Sequence, residues 1–239
     1  MRWLFTSREW TNLTSNITPH NRRELVEFIH LLSDADREDV SAYMVEVEQD
    51  RDLDDYISTA VGATPYYSWA DRDVRIGKRM GWYSLVRAIK PAVVVESGID
   101  KGLGSCVIAA ALLRNKAEGA PGILYALDIE ETSGWLLGSP YDEVVEHQIG
   151  DSHDTLKKLE QSIDLFIHDS NHSYDHERGE YEIIHENLSD HALILSDNSH
   201  ECAALMDFAS ELGQKYYFWH ERPDGAFYPV GGIGAVPRR

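Results

Sequence analysis

The sequence predicts an α/β protein with a doubly wound, mostly parallel sheet and an N-terminal helical cap. Up to about residue 80 the chain is polar, acidic and helical in pattern, but from about residue 91 short apolar runs alternate with amphipathic stretches. Strands that alternate with helices in this way form parallel βαβ units. A short connection rich in turn residues, 222–225, joins the last two apolar runs and predicts an antiparallel C-terminal hairpin. We therefore expect a cap or lid over residues 1–80 and a main domain over residues 81–239.

Each predicted element follows from the spacing of its apolar residues. Two N-terminal helices carry apolar residues three and four positions apart, on one helix face each: Leu25, Val26, Phe28, Ile29 and Leu32, then Val40, Tyr43, Met44 and Val47. The six acids between Glu46 and Asp55 are interpreted as a solvated helix face and loop. Strands are predicted at 93–95, 123–129, 143–149, 163–168, 192–196, 216–219 and 227–236, and helices at 103–116, 152–160, 175–188 and 200–213.

Composition and charge exclude several classes of protein. The 239 residues are 43% hydrophobic and 10% aromatic, which is too apolar for a disordered chain. With 22 basic and 41 acidic residues the net charge is −19, which disfavours a nucleic acid or an anionic membrane as partner. We find no signal-peptide pattern and no apolar run near the ~20 residues that span a bilayer. Two cysteines without a CxxC pair fit the reducing cytoplasm, and the sequence leaves the oligomeric state open, a homo-oligomer included.

A glycine-rich turn follows the first strand of the main domain. A helix begins within this turn, which reads Glu96-Ser97-Gly98-Ile99-Asp100-Lys101-Gly102-Leu103-Gly104-Ser105. Glycines at a strand-to-helix turn let the backbone approach a ligand closely. The spacing is GxxxGxG, so the GxGxxG dinucleotide fingerprint is not met. Short-chain dehydrogenases share this spacing, but they need a lysine four residues from a tyrosine, and none of the twelve tyrosines here has one at that offset.

The acids around this turn favour a cationic ligand over a pyrophosphate. Glu96 and Asp100 would repel a pyrophosphate, whereas they attract the ammonium group of S-adenosylmethionine, directly or through water. Asp128 ends the second strand, where a carboxylate can accept hydrogen bonds from both ribose hydroxyls. Asp151 and Ser152 follow the third strand and could face the adenine, although either is equally plausible as a helix N-cap.

This arrangement resembles the class I S-adenosylmethionine-dependent methyltransferases over about residues 80–239. The glycine loop with its acid, Glu96-x-Gly98, and the strand-end Asp128 carry the resemblance. It implies a Rossmann-like, seven-stranded sheet with one antiparallel strand, in agreement with the hairpin. Ser97 and Lys101 depart from the smaller or more apolar residues expected in the loop. The resemblance implies S-adenosylmethionine as cofactor, with these residues binding it: Glu96, Gly98, Gly102, Gly104, Ser105, Asp128, Asp151 and Ser152.

Acidic and amide side chains end the fourth and fifth predicted strands. Asp169 follows the fourth, Asp197 and Asn198 end the fifth, and adjacent parallel strands bring such residues to one rim of the sheet. Two carboxylates and an amide oxygen suit Mg²⁺, and a cation would offset the repulsion between the acids. The alternative is that these residues cap turns and loops.

The same three residues resemble the metal site of catechol O-methyltransferase and related small-molecule O-methyltransferases, including those acting on antibiotic sugars. The stretch 169–174 also resembles a motif of bacterial natural-product methyltransferases and of cephalosporin hydroxylase-like proteins. These resemblances imply Mg²⁺-dependent methyl transfer to a hydroxyl of a small molecule, with secondary metabolism as one setting.

Two histidines beside the predicted metal site are candidate catalytic bases, because histidine titrates near neutral pH. His172 lies three residues after Asp169, where catechol O-methyltransferase has a lysine, and His200 lies two residues after Asn198. The acceptor pocket is predicted between the N-terminal helices and the loop 65–69, with Tyr67, Trp69 and Trp82 as its walls or as plain core. A basic stretch, 72–79, is available to an acidic acceptor, to the cofactor carboxylate or to nearby acids.

Two other functions stay open at this point. One is a metal-independent methyltransferase that uses His172 alone, and the other is a non-catalytic ligand-binding protein of the same fold. A hydroxylase-type oxygenase is disfavoured, because the sequence shows no clear set of two histidines and one carboxylate for iron.

Overall fold

The computed structural model describes residues 16–63, 74–224 and 231–238, and a seven-stranded sheet forms its centre. The strand order is β3-β2-β1-β4-β5-β7-β6. The strands are β1 Val93–Ser97, β2 Ile123–Asp128, β3 Val145–Ile149, β4 Ile163–His168, β5 Leu188–Asp197, β6 Tyr217–His220 and β7 Gly232–Pro237. Strands β1 to β5 pair in parallel, whereas β7 runs antiparallel to both β5 and β6. The predicted fold class is therefore confirmed, with β6 rather than β7 at the edge of the sheet.

Eight α-helices in the described residues surround the sheet. They are α1 Pro19–Ser33, α2 Arg37–Glu48, α3 Arg51–Ala63, α4 Arg79–Ile89, α5 Leu103–Ala117, α6 Ser152–Leu156, α7 Tyr174–Ile184 and α8 Ala204–Glu211. Helix α1 begins where the Thr18 side chain accepts a hydrogen bond from the Asn21 backbone N–H, with Pro19 at the first turn, and ends at the left-handed Asp34. None of the described helices combines the length and the apolar composition that crossing a membrane requires.

The N-terminal helices share one hydrophobic core with the sheet. Leu25 of α1, Met44 of α2 and Leu53 of α3 are fully buried in the same cluster as Ile108 and Leu112 of α5. Helix α5 is apolar and buried on nearly all sides because it lies between these helices and the sheet. The predicted domain boundary near residue 80 stays a prediction, but the two parts are packed together through a continuous core.

Some acids between α2 and α3 are tied to the core helices rather than solvated. Asp50 is 9% exposed, accepts a hydrogen bond from the Leu53 backbone N–H at 3.0 Å and pairs with Arg114 of α5 at 2.9 Å. Glu46 accepts a hydrogen bond from the Tyr83 hydroxyl at 2.5 Å. The interpretation of this stretch as a wholly solvated face was therefore wrong for these two acids, because their partners lie on α4 and α5.

Candidate functional site

A cavity of about 710 Å³ opens at the carboxyl ends of the central strands. Its lining comes from the turn after β1, the end of β2 with the loop through Trp135, the turn after β3, the turn after β4, and His176 of α7. Parallel strands place their following loops at one rim, which is where ligands bind in open α/β sheets. The volume is in the range of small-molecule and cofactor pockets.

Gly98 forms the floor of this cavity. Its φ is +84°, and a Cβ atom there would overlap the backbone oxygen of Asp169 in the neighbouring turn. The Gly98 N–H donates to the Leu127 oxygen at 2.8 Å, and the Asp169 N–H donates to the Ser97 oxygen at 2.7 Å. Glycine is required because the ends of three strands meet here with no room for a side chain.

Asp128 lines the cavity at the end of β2 and organises the loop above it. Its Oδ2 atom accepts hydrogen bonds from the backbone N–H groups of Ile99 and Asp100 at 2.9 and 3.0 Å, and its Oδ1 atom accepts one from Glu130 at 2.9 Å. The carboxylate is thus fixed with its oxygens between the glycine turn and the β2 turn. A carboxylate so placed can also accept hydrogen bonds from a bound diol.

Asp151 and Ser152 also line the cavity, and each has a partner within the fold. Asp151 is the N-cap of α6, where its side chain accepts a hydrogen bond from the Asp154 N–H at 3.3 Å. The Ser152 hydroxyl donates to Glu180 of α7 at 2.5 Å. Both residues therefore hold the β3 turn in place, and their predicted contact with the cofactor stays a prediction.

The other predicted cofactor residues lie behind the cavity wall. Glu96 is 1% exposed, and the Ser105 hydroxyl donates to its Oε2 atom at 2.5 Å. Burial raises the pKa of Glu96 to about 7. Gly104 is required because a Cβ atom there would overlap the Glu96 carboxyl and the Trp82 ring, and Gly102 caps α5 with a φ of +91°. None of these four residues lines the cavity, so the geometry provides no direct contact between Glu96 and a ligand there.

The strand-end residues Asp169 and Asp197 converge, as predicted, but with two basic partners from the N-terminal side of α4. Lys78 donates to Asp197 Oδ2 at 2.6 Å, with side chains 10% and 3% exposed. Arg79 lies 3.8 Å from Asp169 Oδ2. Burial and the nearby Asp197 raise the pKa of Asp169, whereas the Lys78 ammonium keeps Asp197 ionised, with its pKa below the ordinary value in spite of burial. We call Asp169, Asp197, Asn198, Lys78 and Arg79 the charged rim.

The two candidate bases have different surroundings. The His172 side chain is 17% exposed, and its Nε2 atom lies 4.0 Å from Asp169 Oδ1 and 3.5 Å from Asn198 Nδ2. Burial lowers the pKa of His172, and the neighbouring His168 lowers it further, so the neutral ring is favoured. His200 is exposed and lies beside Gly231, away from the lining of the cavity.

A buried polar network under the rim was not predicted. His168, the last residue of β4, is fully buried, and its Nδ1 atom lies 2.7 Å from Glu180 Oε2. Burial raises the pKa of Glu180, but hydrogen bonds from His168 and His176 outweigh burial and hold it well below its ordinary value. Glu177 accepts hydrogen bonds from the hydroxyls of Tyr181 and Ser196 at 2.5 and 2.8 Å. The available signal was that Glu177, Glu180, Tyr181 and Ile184 share the spacing of a buried helix face.

The same network corrects one expectation directly. His168, His172 and Glu177 each offer a ligand atom, and these atoms lie within 4.8 Å of one another. A group of two histidines and one carboxylate is therefore present, although no motif in the sequence indicated it. The three residues lie at the end of β4, in the loop that follows it and in the first turn of α7.

The predicted acceptor pocket lies only partly within the described residues. The loop 65–69, with Tyr67 and Trp69, falls outside them, as does Arg72. Trp82 is described and is 1% exposed, with the Arg79 guanidinium 5.3 Å from its ring centre, so it is part of the core rather than a pocket wall.

Comparisons with known proteins agree with this geometry. Residues 95–199 match the family model described as a methyltransferase domain. No curated protein matches the chain. Similar solved structures include an O-methyltransferase from Bacillus cereus in complex with SAH, at 16% identity over 79% of this chain and 91% of that chain, with a TM-score of 0.59. Another is the O-methyltransferase TomG from Streptomyces achromogenes, involved in tomaymycin synthesis, in complex with SAM, at 17% identity over 77% and 90% and a TM-score of 0.59. A third is cofactor-bound Rv0187 from MTB, at 15% identity over 89% and 95% and a TM-score of 0.59.

The chain has the fold of the class I methyltransferases, as the sequence resemblance predicted, and residues 95–199 match a methyltransferase domain. The matched segment, 95–199, runs from β1 to the turn after β5 and supplies the cavity and most of the charged rim. The N-terminal helices, which bring Lys78 and Arg79, lie outside the match.

Proposed function

We propose that the protein transfers a methyl group from S-adenosylmethionine to a hydroxyl of a small molecule, with natural products as the favoured class of acceptor. The observation that carries this proposal is the cavity at the strand ends, where the Gly98 turn and the Asp128 carboxylate face one space with Asp169 at its border. A cytoplasmic location follows from the cysteine usage of the sequence and belongs to the same proposal.

The charge of the cavity supports this cofactor. Five acids line it, and its single described lysine, Lys101, is paired with one of them, Asp100, at 2.9 Å. S-adenosylmethionine carries a sulfonium and an ammonium group, so a negative cavity attracts it and disfavours a pyrophosphate. The acids in the lining are Asp100, Asp128, Glu130, Asp151 and Asp169.

Asp169, Asp197 and Asn198 are the residues that would hold Mg²⁺. Their donors are the hard oxygens that Mg²⁺ prefers, and the buried Asp197 Oδ1 has no hydrogen-bond partner among the described residues. Lys78 occupies the other oxygen, Oδ2, so a cation would share this carboxylate with an ammonium group. A bound Mg²⁺ would lower the pKa of an acceptor hydroxyl and orient it.

His172 is the proposed acceptor of the proton that the hydroxyl loses. Its lowered pKa keeps the ring neutral near pH 7, so that a nitrogen lone pair is available, and its Nε2 atom faces the charged rim. The rim and the cavity share Asp169, which places the base beside the site where cofactor and acceptor would meet. His200 is the second candidate, with weaker support because it is exposed.

One observation favours a second candidate, a metal-independent methyltransferase. Lys78 and Arg79 already place two positive charges against the two carboxylates of the rim. The repulsion that suggested a metal ion is therefore offset within the chain itself. In this version His172 acts without a cation, and the rim binds and orients the acceptor.

Calorimetric titration with S-adenosylmethionine tests the proposed cofactor. We expect one site per chain, and we expect Asp128→Asn to weaken binding about ten- to a hundredfold, as the loss of a hydrogen-bonding charge does. Asp154→Asn is the matched control, because that aspartate is exposed and does not line the cavity. No binding by the wild-type protein, or equal binding by both variants, would contradict the assignment.

Methyl transfer to a panel of small hydroxylated compounds then separates the candidates. Activity that EDTA abolishes and Mg²⁺ restores supports the metal-dependent version, whereas full activity in EDTA supports the metal-independent one. Tight cofactor binding with no turnover on any compound would support the other alternative, a non-catalytic ligand-binding protein of the same fold.

A further inference from the structure

The group of His168, His172 and Glu177 lies next to the charged rim, and none of the three lines the cavity. His168 and Glu177 are buried to 0% and 1% exposure, and His168 Nε2 lies 3.6 Å from Glu177 Oε2. The two imidazole rings meet edge to face, with centres 5.2 Å apart. Four tetrahedral ligands at the usual Zn–N and Zn–O distances lie about 3.3 Å from one another. The His168–Glu177 pair is already near that spacing, and the three ligand atoms, which lie within 4.8 Å of one another, would contract onto a bound ion.

Each histidine of this group has one buried ring nitrogen without a hydrogen-bond partner among the described residues. They are His168 Nε2 and His172 Nδ1. Buried polar atoms are nearly always paired, so two orphaned nitrogens beside one carboxylate indicate a missing partner. A metal ion supplies such a partner, because it accepts a lone pair from each neutral imidazole.

The opposite nitrogen of His168 faces a carboxylate, since His168 Nδ1 lies 2.7 Å from Glu180 Oε2. This is the outer arrangement that metal-bound histidines adopt, in which a carboxylate holds the proton on the nitrogen that does not bind the metal. The opposite nitrogen of His172, Nε2, lies 3.5 Å from the Asn198 amide nitrogen and 4.0 Å from Asp169 Oδ1.

Charge and donor type identify the class of metal. Glu177 and Glu180 are two buried carboxylates, and the basic groups facing them are His168, His172 and His176, so a divalent cation offsets their charge with all rings neutral. Imidazole and carboxylate donors suit Zn²⁺ and related divalent transition metals better than Mg²⁺. The Cys202 thiol donates a hydrogen bond to Glu177 Oε2 at 3.1 Å and is not one of the grouped ligands.

We propose that His168, His172 and Glu177 form a binding site for Zn²⁺, separate from the Mg²⁺ site proposed at the rim. The ion joins the end of β4, the loop after it and the first turn of α7, which are the segments that carry Asp169 and His172. It would thereby fix the position of the rim without being part of the cavity.

Metal content and cobalt spectroscopy test the site without any measurement of methyl transfer. Full-length protein is stripped with a chelator, dialysed and titrated with Zn²⁺ or Co²⁺. We expect one Zn²⁺ per chain and the visible bands of tetrahedral Co²⁺. His172→Asn, at a partly exposed position that tolerates change better than the buried His168, is expected to weaken Zn²⁺ binding at least about a hundredfold.

Two variants separate this site from other metal-binding groups. His191→Asn removes an exposed histidine and should keep full Zn²⁺ binding, and Asp197→Asn alters the rim and should keep it as well. The proposal is overturned by wild-type protein that binds no Zn²⁺, by unchanged binding in His172→Asn, or by loss of binding in Asp197→Asn protein whose circular dichroism spectrum shows the wild-type fold. Cofactor binding by calorimetry is independent of all these readings, so failure here and failure of the proposed methyl transfer are distinguishable.

Discussion

Replacing Glu96 by glutamine should change how the stability of the protein depends on pH. Glu96 is 1% exposed at the end of β1, accepts a hydrogen bond from Ser105 at 2.5 Å, and has a pKa of about 7 because it is buried. Glutamine keeps the shape of the side chain and an oxygen that accepts this bond. The substitution therefore removes the ionisation and leaves most of the packing unchanged.

The sign and the size of the effect follow from linkage. A pKa raised above the ordinary 4.5 means that the native state holds its proton more tightly than the unfolded state does. The stabilisation is complete below about pH 4.5 and is lost as the pH rises through 7, where Glu96 ionises within the fold. The interval between 4.5 and about 7 corresponds to about 3 kcal/mol at most, of which about 2 to 3 kcal/mol falls between pH 5 and pH 8.

Urea unfolding at pH 5, 6, 7 and 8 measures this contribution. We expect the stability of Glu96→Gln relative to the wild-type protein to rise by about 2 to 3 kcal/mol from pH 5 to pH 8. Glu182→Gln, which changes a carboxylate that is 60% exposed, should follow the wild-type curve and serves as the control. Parallel curves for Glu96→Gln and the wild-type protein would refute the reasoning, since they would show that Glu96 is ionised in the native state from pH 5 to pH 8.

Two further substitutions test the rim and the cavity floor. Lys78→Met should lower the free energy of unfolding, measured in urea at pH 7, by about 3 to 5 kcal/mol, because it leaves the buried Asp197 without its partner. Lys90→Met breaks an exposed ion pair and should lower it by less than about 1 kcal/mol. Equal losses in the two variants would argue against a buried pair. Gly98→Ala should lower the free energy of unfolding clearly more than Gly119→Ala does, and it should also weaken cofactor binding. Both glycines have φ near +85 to +90°, so alanine brings about 1–2 kcal/mol of backbone strain at either position. Only at Gly98 does the new Cβ atom also overlap neighbouring backbone. Similar losses in both would mean that the strand ends can move apart.

The sheet could be predicted because its signal is local and repeated. Runs such as Val93–Ser97 and Ile163–His168 are apolar, short and separated by amphipathic helices. The boundaries were less certain where a strand starts outside the core. Strand β5 begins at Leu188 rather than residue 192, because Leu188 already pairs with Ile163 of β4. The register then shifts before Leu193, and Ser189, Asp190 and His191 in between have partly or fully exposed side chains, so no apolar pattern marks this start.

The candidate site was predictable only where topology alone brings residues together. Asp169 and Asp197 meet because adjacent parallel strands end at one rim, which spacing along the chain already implies. Lys78, the partner of Asp197, is 119 residues away in sequence, and no local pattern links the two. The direction of Glu96 was equally hidden, because β1 is buried on both faces and its apolar pattern does not show which face carries the acid.

The proposals made for His172 place opposite demands on its ring. A base that takes a proton through Nε2 needs a lone pair on that nitrogen, and therefore a proton on Nδ1. A metal ligand needs the reverse, since binding through Nδ1 leaves the proton on Nε2, toward Asp169. If His172 is the base, protein stripped of Zn²⁺ should transfer methyl groups faster than Zn²⁺-loaded protein. Equal rates would exclude His172 as the base and leave the charged rim to position the acceptor. The zinc content of a preparation is therefore the quantity to fix before any rate is compared between variants at the rim.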